Sequence, residues 1–272
     1  MQTHAPSELR ILTFNLRTGT CERGTPDAWK ERRGDCIALM AGGGYDFIGA
    51  QEVQWRPEEP GCDQAGDLAR GLAPAYGMLG RSREAKPDVG EGAPVFYRRD
   101  RWEPDADAQG TLWLSETPDK PSMGWDAACY RTATWALLQH KKSGRKFYYV
   151  NTHLDHVGQE ARRKGLELIQ ERIASLNRDG LPVILGGDFN VTPEDPALEG
   201  LDARMKSARR FAVETDKGTT FHDWGRRKDV YPIDHIYFSG FSSCLLFEVV
   251  TKPYADRKFI SDHYPVRAVL VF

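Results

Sequence analysis

Cysteine is scarce and scattered. Cys21, Cys36, Cys62, Cys129 and Cys244 form no CxxC pair, a spacing that argues against a thiolate zinc site and against a dense disulfide scaffold. It suits small residues in a reducing compartment. Long apolar runs are also missing. No stretch approaches the ~18 residues that a membrane helix needs, and Met1 to Arg10 lacks the apolar core of a signal peptide. The chain therefore reads as cytoplasmic with no membrane span, although a secreted or periplasmic protein whose leader had been cleaved would read the same. Neither charge sign is in excess: 37 Lys+Arg against 39 Asp+Glu leave a net charge of −2. This excludes a strongly basic module that holds nucleic acid by bulk electrostatics, but not one that meets phosphate through a metal ion. Low-complexity tracts, short-period repeats and long linkers are absent as well.

What remains is an ordinary globular composition, 40% hydrophobic and 28% charged over 272 residues. That length suggests one large domain or two small ones, with a core that needs no disulfide or metal staple. Short apolar runs alternate with amphipathic helices. Leu9 to Phe14 reads as a strand ending in Asn15. Asp27 to Met40 reads as a helix with Trp29, Cys36, Ile37 and Met40 on one face, and Tyr45 to Ala50 as a buried strand ending at Gln51-Glu52. The second half repeats the plan. Lys146 to Val150 runs into His153; a helix follows to Leu176, with Leu166, Ile169, Ile173 and Leu176 as its stripe. Leu181 to Leu185 then ends in Gly186-Gly187-Asp188. Further strands are predicted at Ala93 to Arg98, Gly110 to Leu114, Thr132 to Gln139, Ile233 to Phe238, Leu245 to Val250 and Val266 to Val271. Arg56 to Gly66 and Ala85 to Ala93 read as loops. Strand–helix–strand units of this kind, with so many strands, point to an α/β sandwich with mixed sheets and polar groups gathered at strand ends.

Six short motifs set acids, amides and imidazoles in or beside apolar strands: TFNLR (Asn15), GAQE (Glu52), NTHLDH (His153, Asp155, His156), GGDFN (Asp188, Asn190), IDHI (Asp234, His235) and SDHYP (Asp262, His263). One carboxylate at the end of a buried strand is a common turn former. Six such motifs together point to a site, because buried carboxylates need a partner or a metal. Oxygen donors from Glu52, Asp188 and Asp262, with the amides of Asn15 and Asn190, suit a hard ion, Mg²⁺, Mn²⁺ or Ca²⁺. Histidines beside such a site suit proton transfer and charge stabilisation. Asp234 and His263, if brought together, would make a carboxylate–imidazole pair. His235, by strand alternation, should face away.

The ordered set TFNLR, QE, NTHLDH, GGDFN, IDHI and SDHYPV, spread from Leu9 to Phe272, resembles the endonuclease/exonuclease/phosphatase superfamily with the DNase I-like fold, in its bacterial branches. The resemblance implies a four-layered α/β-sandwich, two mixed β-sheets flanked by helices, occupying residues 9–272 behind an N-terminal tail of residues 1–8. It also implies Mg²⁺-dependent phosphoester hydrolysis, with Mn²⁺ or Ca²⁺ as substitutes. Carried over position by position, Glu52 looks like the principal metal carboxylate, with Asn15 and Asp262 completing or orienting the shell. Asp188 and Asn190 resemble the pair that positions water and phosphate. His263, paired with Asp234, resembles the imidazole on the phosphate, and His153 the one that protonates the leaving group. Arg131 resembles a phosphate-binding arginine. His156, with Asp155, either lines the site or caps the following helix.

The substrate is less legible. Gly186 and Val191 stand where the inositol polyphosphate 5-phosphatase branch has Trp and Arg, and His153 where abasic-site endonucleases have Tyr. Trp113 and Trp125 read as packed core or as an aromatic rim, and Arg162-Arg163-Lys164 and Arg204, Lys206, Arg209, Arg210 as solvated clusters. The leading expectation is a phosphomonoesterase or phosphodiesterase acting on a sugar phosphate, nucleotide or lipid headgroup. The alternatives are a nuclease on DNA or RNA and a catalytically silent binding protein. Oligomeric state leaves no trace in the sequence.

Overall fold

The first strand sets the architecture by simple alternation. Leu9 and Ile11 point into one buried cluster and Leu12 and Phe14 into another, because successive residues of a strand face opposite sides. The structure, a computed structural model, describes residues 8–59, 61–254 and 256–272. Of the expected tail, residues 1–7 lie outside the described residues, and Glu8 already belongs to the first strand. Along the chain come β1 (Glu8–Asn15), α1 (Trp29–Gly42), β2 (Phe47–Gln51), β3 (Val53–Trp55), α2 (Gln64–Leu72), β4 (Tyr76–Leu79), β5 (Gly90–Gly92), β6 (Val95–Arg98), β7 (Trp102–Trp113), β8 (Thr132–His140), β9 (Lys146–His153), α3 (Gln159–Leu176), β10 (Val183–Asp188), α4 (Glu199–Asp202), β11 (Lys206–Ser207), α5 (Ala208–Phe211), β12 (Ala212–Thr215), β13 (Asp234–Ser239), β14 (Ser243–Val249) and β15 (Val266–Val271).

One sheet runs in the order β12-β14-β15-β1-β2-β6-β4, the other in the order β11-β13-β10-β9-β8-β7, and β3 pairs with β5 in a short ribbon. The β1–α1–β2 and β9–α3–β10 units each supply a parallel pair, while β1–β15, β2–β6, β10–β13 and β8–β9 are antiparallel. Both sheets are therefore mixed. Between them lies a cluster that includes Ile11, Phe47, Phe147, Tyr149, Ile184 and Ile236. The rings of Phe47 and Phe147 meet edge-on at 5.2 Å. A second cluster seats α1 and α2 on the first sheet, through Phe14, Trp29, Met40 and Leu68. A third seats α3 on the second, through Val150, Leu166, Ile169 and Ile173. Three buried seams make four layers, the DNase I-like α/β sandwich.

Near one edge the seam between sheets turns polar. Gln51 Nε2 donates to Asn151 Oδ1 at 2.7 Å, and Asn151 Nδ2 donates to the carbonyls of Ala50 and Pro94. Residue 49 is glycine for this reason, since a Cβ there would stand 2.6 Å from Asn151 Oδ1.

Several local expectations need correction. The short strand β5 lies inside the Ala85 to Ala93 segment read as loop, and α2 begins within the last three residues of the Arg56 to Gly66 segment and runs on, with Ala65, Leu68 and Leu72 buried along one face. Of Gly110 to Leu114, all but Leu114 form only the end of the 12-residue β7. Leu176 is exposed and leaves the α3 stripe, whereas Leu166, Ile169 and Ile173 stay buried. Arg162 is buried and donates to the Asp155 carbonyl, so only Arg163 and Lys164 of that cluster face solvent. Arg209 is part-buried and donates to the carbonyls of Gly218 and Lys217. Trp113 is packed core, its indole N–H on the Arg83 carbonyl. All five cysteines are free thiols. Among the described residues no helix is long and apolar enough to cross a membrane.

Candidate active site

The residues singled out from the sequence meet where the parallel pairs of both sheets end. In the second sheet the register sets His153 of β9 beside Asp188 of β10, and Asp188 beside Asp234 of β13. In the first, Asn15 closes β1 and Glu52 follows β2. Glu52 has a left-handed backbone, φ +58°, which breaks the alternation and turns its carboxylate back towards the gap between the sheets. Arg17 and Asn190 are left-handed too, at φ +53° each. Non-glycine residues occupy this region rarely, and such cases concentrate at functional sites.

Asn15 joins the two sheets. Its Nδ2 donates to Glu52 Oε1 at 3.1 Å and to Asp188 Oδ2 at 2.9 Å, while its Oδ1 accepts from the Arg17 amide. The Thr18 amide donates to Glu52 Oε2 at 2.9 Å. Arg17 Nε stands 3.5 Å from Asp262 Oδ2. On the opposite wall His263 Nδ1 donates to Asp234 Oδ2 at 2.8 Å, and its Nε2 faces Asp188 Oδ2 at 3.7 Å. His153 Nε2 accepts from Asn190 Nδ2 at 3.0 Å and lies 3.5 Å from Asp188 Oδ2. The Asn190 amide donates to Asp188 Oδ1. Asp188, Asp234 and His263 form a buried trio of close donor atoms.

Burial and neighbouring charge separate the roles of these groups. Burial and the Asp234 charge push Asp188 up to about 7. Burial, with the Glu52 charge, also raises Asp262. Burial would raise Glu52, but Arg17, the Asn15 amide and the Thr18 N–H hold it below the ordinary range. The histidines diverge. Burial opposes the charge on His263, yet the Asp234 carboxylate outweighs it and lifts the imidazole to about 10. His153, buried and facing Arg131 and Arg83, is driven well below its usual value. One ring is therefore a cation and the other neutral near pH 7.

Arg131 is 6% exposed. Its Nη2 donates to His156 Nδ1 at 3.0 Å and its Nε lies 3.4 Å from Asp155 Oδ2. Asp155 accepts from the amides of Val157 and Gly158 and so braces the turn into α3, while the exposed His156 reaches the cavity. His235 does face away, its Nε2 on the Val191 carbonyl. The cavity itself holds about 510 Å³ and is lined by Glu52, Asp188, Asn190, Asp262, His153, His156, His263 and Arg131. Of the sequence-derived set, Asn15 and Asp234 stand behind this lining and act on it through their hydrogen bonds. Four charged lining residues went unforeseen: Arg17, Arg83, Glu91 and Arg227. Arg17 sits inside a motif read for its asparagine. Glu91 comes from the Ala85 to Ala93 segment read as loop, Arg83, 2.7 Å from it, from just before that segment, and Arg227 packs on the rings of Phe221 and Tyr231. None of the four carries a pattern that one sequence reveals.

The sequence model described as Endonuclease/Exonuclease/phosphatase family matches residues 12–263. Among solved structures, a family protein from Bacteroides vulgatus is 35% identical, with 97% of this chain and 98% of that chain covered and a TM-score of 0.88. A mannosyl-6-phosphatase from Bacteroides thetaiotaomicron is 30% identical over 97% of this chain and all of that one, with a TM-score of 0.86. A protein of Acanthamoeba polyphaga mimivirus is 26% identical over 171 residues, 59% of this chain and 63% of that protein's length.

Proposed function

The chain belongs to the endonuclease/exonuclease/phosphatase family, and from that premise we propose that it is a divalent-metal-dependent phosphoesterase acting on a small or short substrate. A sugar phosphate, nucleotide or lipid headgroup is the class we favour. The observation that carries this reading is the convergence of Glu52, Asp188 and Asp262 with a charged His263 and a neutral His153 on one cavity. The likeness to a mannosyl-6-phosphatase supports a sugar phosphate within that class.

The donor set fits a hard cation. Arg17 faces both Glu52 and Asp262, and burial together with like charge pushes Asp188 and Asp262 upward. Such a crowded group of carboxylate oxygens suits Mg²⁺ or Mn²⁺ rather than zinc. Glu52 and Asp262 would hold the ion, with Asn15 orienting Glu52. The ion would supply Lewis-acid stabilisation of charge on the phosphate oxygens. The chain's own groups do the rest. Asp188, held by Asn15 and by the Asn190 amide, orients and deprotonates the attacking water. The His263 cation donates to a non-bridging phosphate oxygen as charge grows there. His153, neutral and accepting from Asn190, fixes that amide beside Asp188 rather than supplying a proton, so the leaving oxygen is protonated from water, and Arg131 with His156 anchors the far side of the substrate.

The test is a panel of sugar phosphates, nucleotides, lipid headgroup diesters and short DNA and RNA, run with Mg²⁺, Mn²⁺ and Ca²⁺ and with D188N as the control. Metal-dependent turnover of small esters that D188N lacks is the expected result. Turnover of oligonucleotides alone would make the protein a nuclease, and no turnover of any kind would make it a silent binding protein of this fold.

A further inference from the structure

α1 carries a buried cation that no carboxylate touches, although Asp262 and Glu52 act on it at longer range. Arg32 is 0% exposed and forms no ion pair among the described residues. Its guanidinium is spent on backbone carbonyls instead. Nη1 donates to Leu16 O and to Ile260 O at 3.1 Å, Nη2 to Arg17 O at 2.7 Å, and Nε to Asp27 O at 2.8 Å. Trp29 and Trp224 flank it, with their ring centres 5.2 and 5.4 Å from its central carbon. A charge is costly to bury, so the carbonyl dipoles must hold it, and beside that of Asp27 they come from Leu16 and Arg17 near one end of the chain and Ile260 near the other.

Those two segments carry the cation-facing side of the site. Leu16 and Arg17 lie between Asn15 and Thr18, whose amide bonds Glu52. Arg17 is left-handed, and its carbonyl also accepts from Gln64 Nε2. Ile260 lies two residues before Asp262. Ser261, between them, donates its hydroxyl to Asn15 O at 2.7 Å. Any slip between the segments would change the spacing of Glu52 and Asp262 without touching either.

We propose that Arg32 is a positioning residue that locks the segment after β1 to the segment before β15, and through them sets the distance between Glu52 and Asp262. The planar fork with five donors is needed, since lysine offers only a point charge on a flexible stem. The metal part of this inference rests on the phosphoesterase reading above.

The experiment compares wild type, R32K, and a core control, F247L, chosen to lower stability in the seam between the sheets away from the site. Mn²⁺ affinity is measured by calorimetry on the substrate-free protein, and amide exchange is followed in residues 16–20 and 258–263. Arg32 as a lock predicts that R32K binds Mn²⁺ roughly tenfold to a hundredfold more weakly and exchanges faster in both segments, while F247L changes neither. Should R32K not fold, W224L, which removes one flanking ring but no hydrogen bond, should move both readouts the same way. Unchanged exchange in both segments, or an equal response from F247L, overturns the proposal. A wild-type protein that binds no Mn²⁺ overturns the phosphoesterase reading instead, and exchange alone then decides on Arg32.

Discussion

His263 and Asp234 form a buried ion pair, Nδ1 to Oδ2 at 2.8 Å, with each side chain no more than 5% exposed. Asp188 lies on the far side of the same ring, 3.7 Å from Nε2. The imidazole is thus charged by one carboxylate and presented towards the other.

Replacing Asp234 by Asn should leave the hydrogen bond and remove the charge that keeps the ring protonated. We expect kcat to fall by about 10²- to 10⁴-fold, with a cooperative thermal melt retained. A D234N protein within tenfold of wild-type turnover would remove His263 from the charged role assigned to it.

Among the cavity carboxylates Glu91, Asp188 and Asp262 are pushed upward, whereas Glu52 is held below its ordinary range. Chelation should abolish turnover by the wild-type protein, and added Mg²⁺ or Mn²⁺ should restore it. Glu52→Gln should stay orders of magnitude below wild type at any metal concentration, and His263→Ala likewise. Activity that survives exhaustive dialysis against chelator would contradict the metal dependence.

Asp155 offers a pH test away from the carboxylates proposed to hold the ion. Burial would raise its pKa, but the Gly158 and Val157 amides and the Arg131 charge hold it far below the ordinary value. A carboxylate depressed in the folded state stabilises the fold above the unfolded pKa, and that stability fades as pH falls towards the folded value. Hydrogen bonds to a charged group contribute about 1.5–3 kcal/mol, so D155N should melt about 5 °C below wild type at pH 7. The gap should narrow steadily between pH 4 and pH 2.5. A gap that is constant with pH would assign the loss to packing.

The paired glycines before Asp188 should respond differently to alanine. Gly187 has φ +146°, and a Cβ there would overlap the Thr152 carbonyl on β9. Gly186 has ordinary backbone, with its nearest neighbour 3.4 Å from an added Cβ. G187A should lose about 10 °C of thermal stability or fail to fold, whereas G186A should stay within about 3 °C of wild type. Equal effects at the two positions would contradict the close approach of β9 and β10.

The contrast between these positions shows what the sequence made legible. Asn15, His153 and Asp188 could be read because apolar alternation runs directly into them, and parallel strands end on a common edge. Asp234 and His263 could be read as a pair only as a conditional, since their contact depends on how β13 meets the segment before β15. The direction of Glu52 depends on a single backbone angle, which leaves no trace in residue type. Glu91 reaches the cavity from a short ribbon and Arg83 from the loop beside it, both without apolar periodicity, and Arg32 sits in a helix whose other arginine, Arg33, faces solvent. Charge on a helix is ordinarily solvated, so nothing in the string marks the one that is buried.

Asn15 binds Glu52 at its own sheet and Asp188 at the other. The working groups are therefore divided between two halves, and neither half holds a usable set. During refolding, each sheet could regain its full circular dichroism while catalysis stayed at zero. Turnover would return only when the halves dock, so enzymatic recovery would time that final event and nothing earlier.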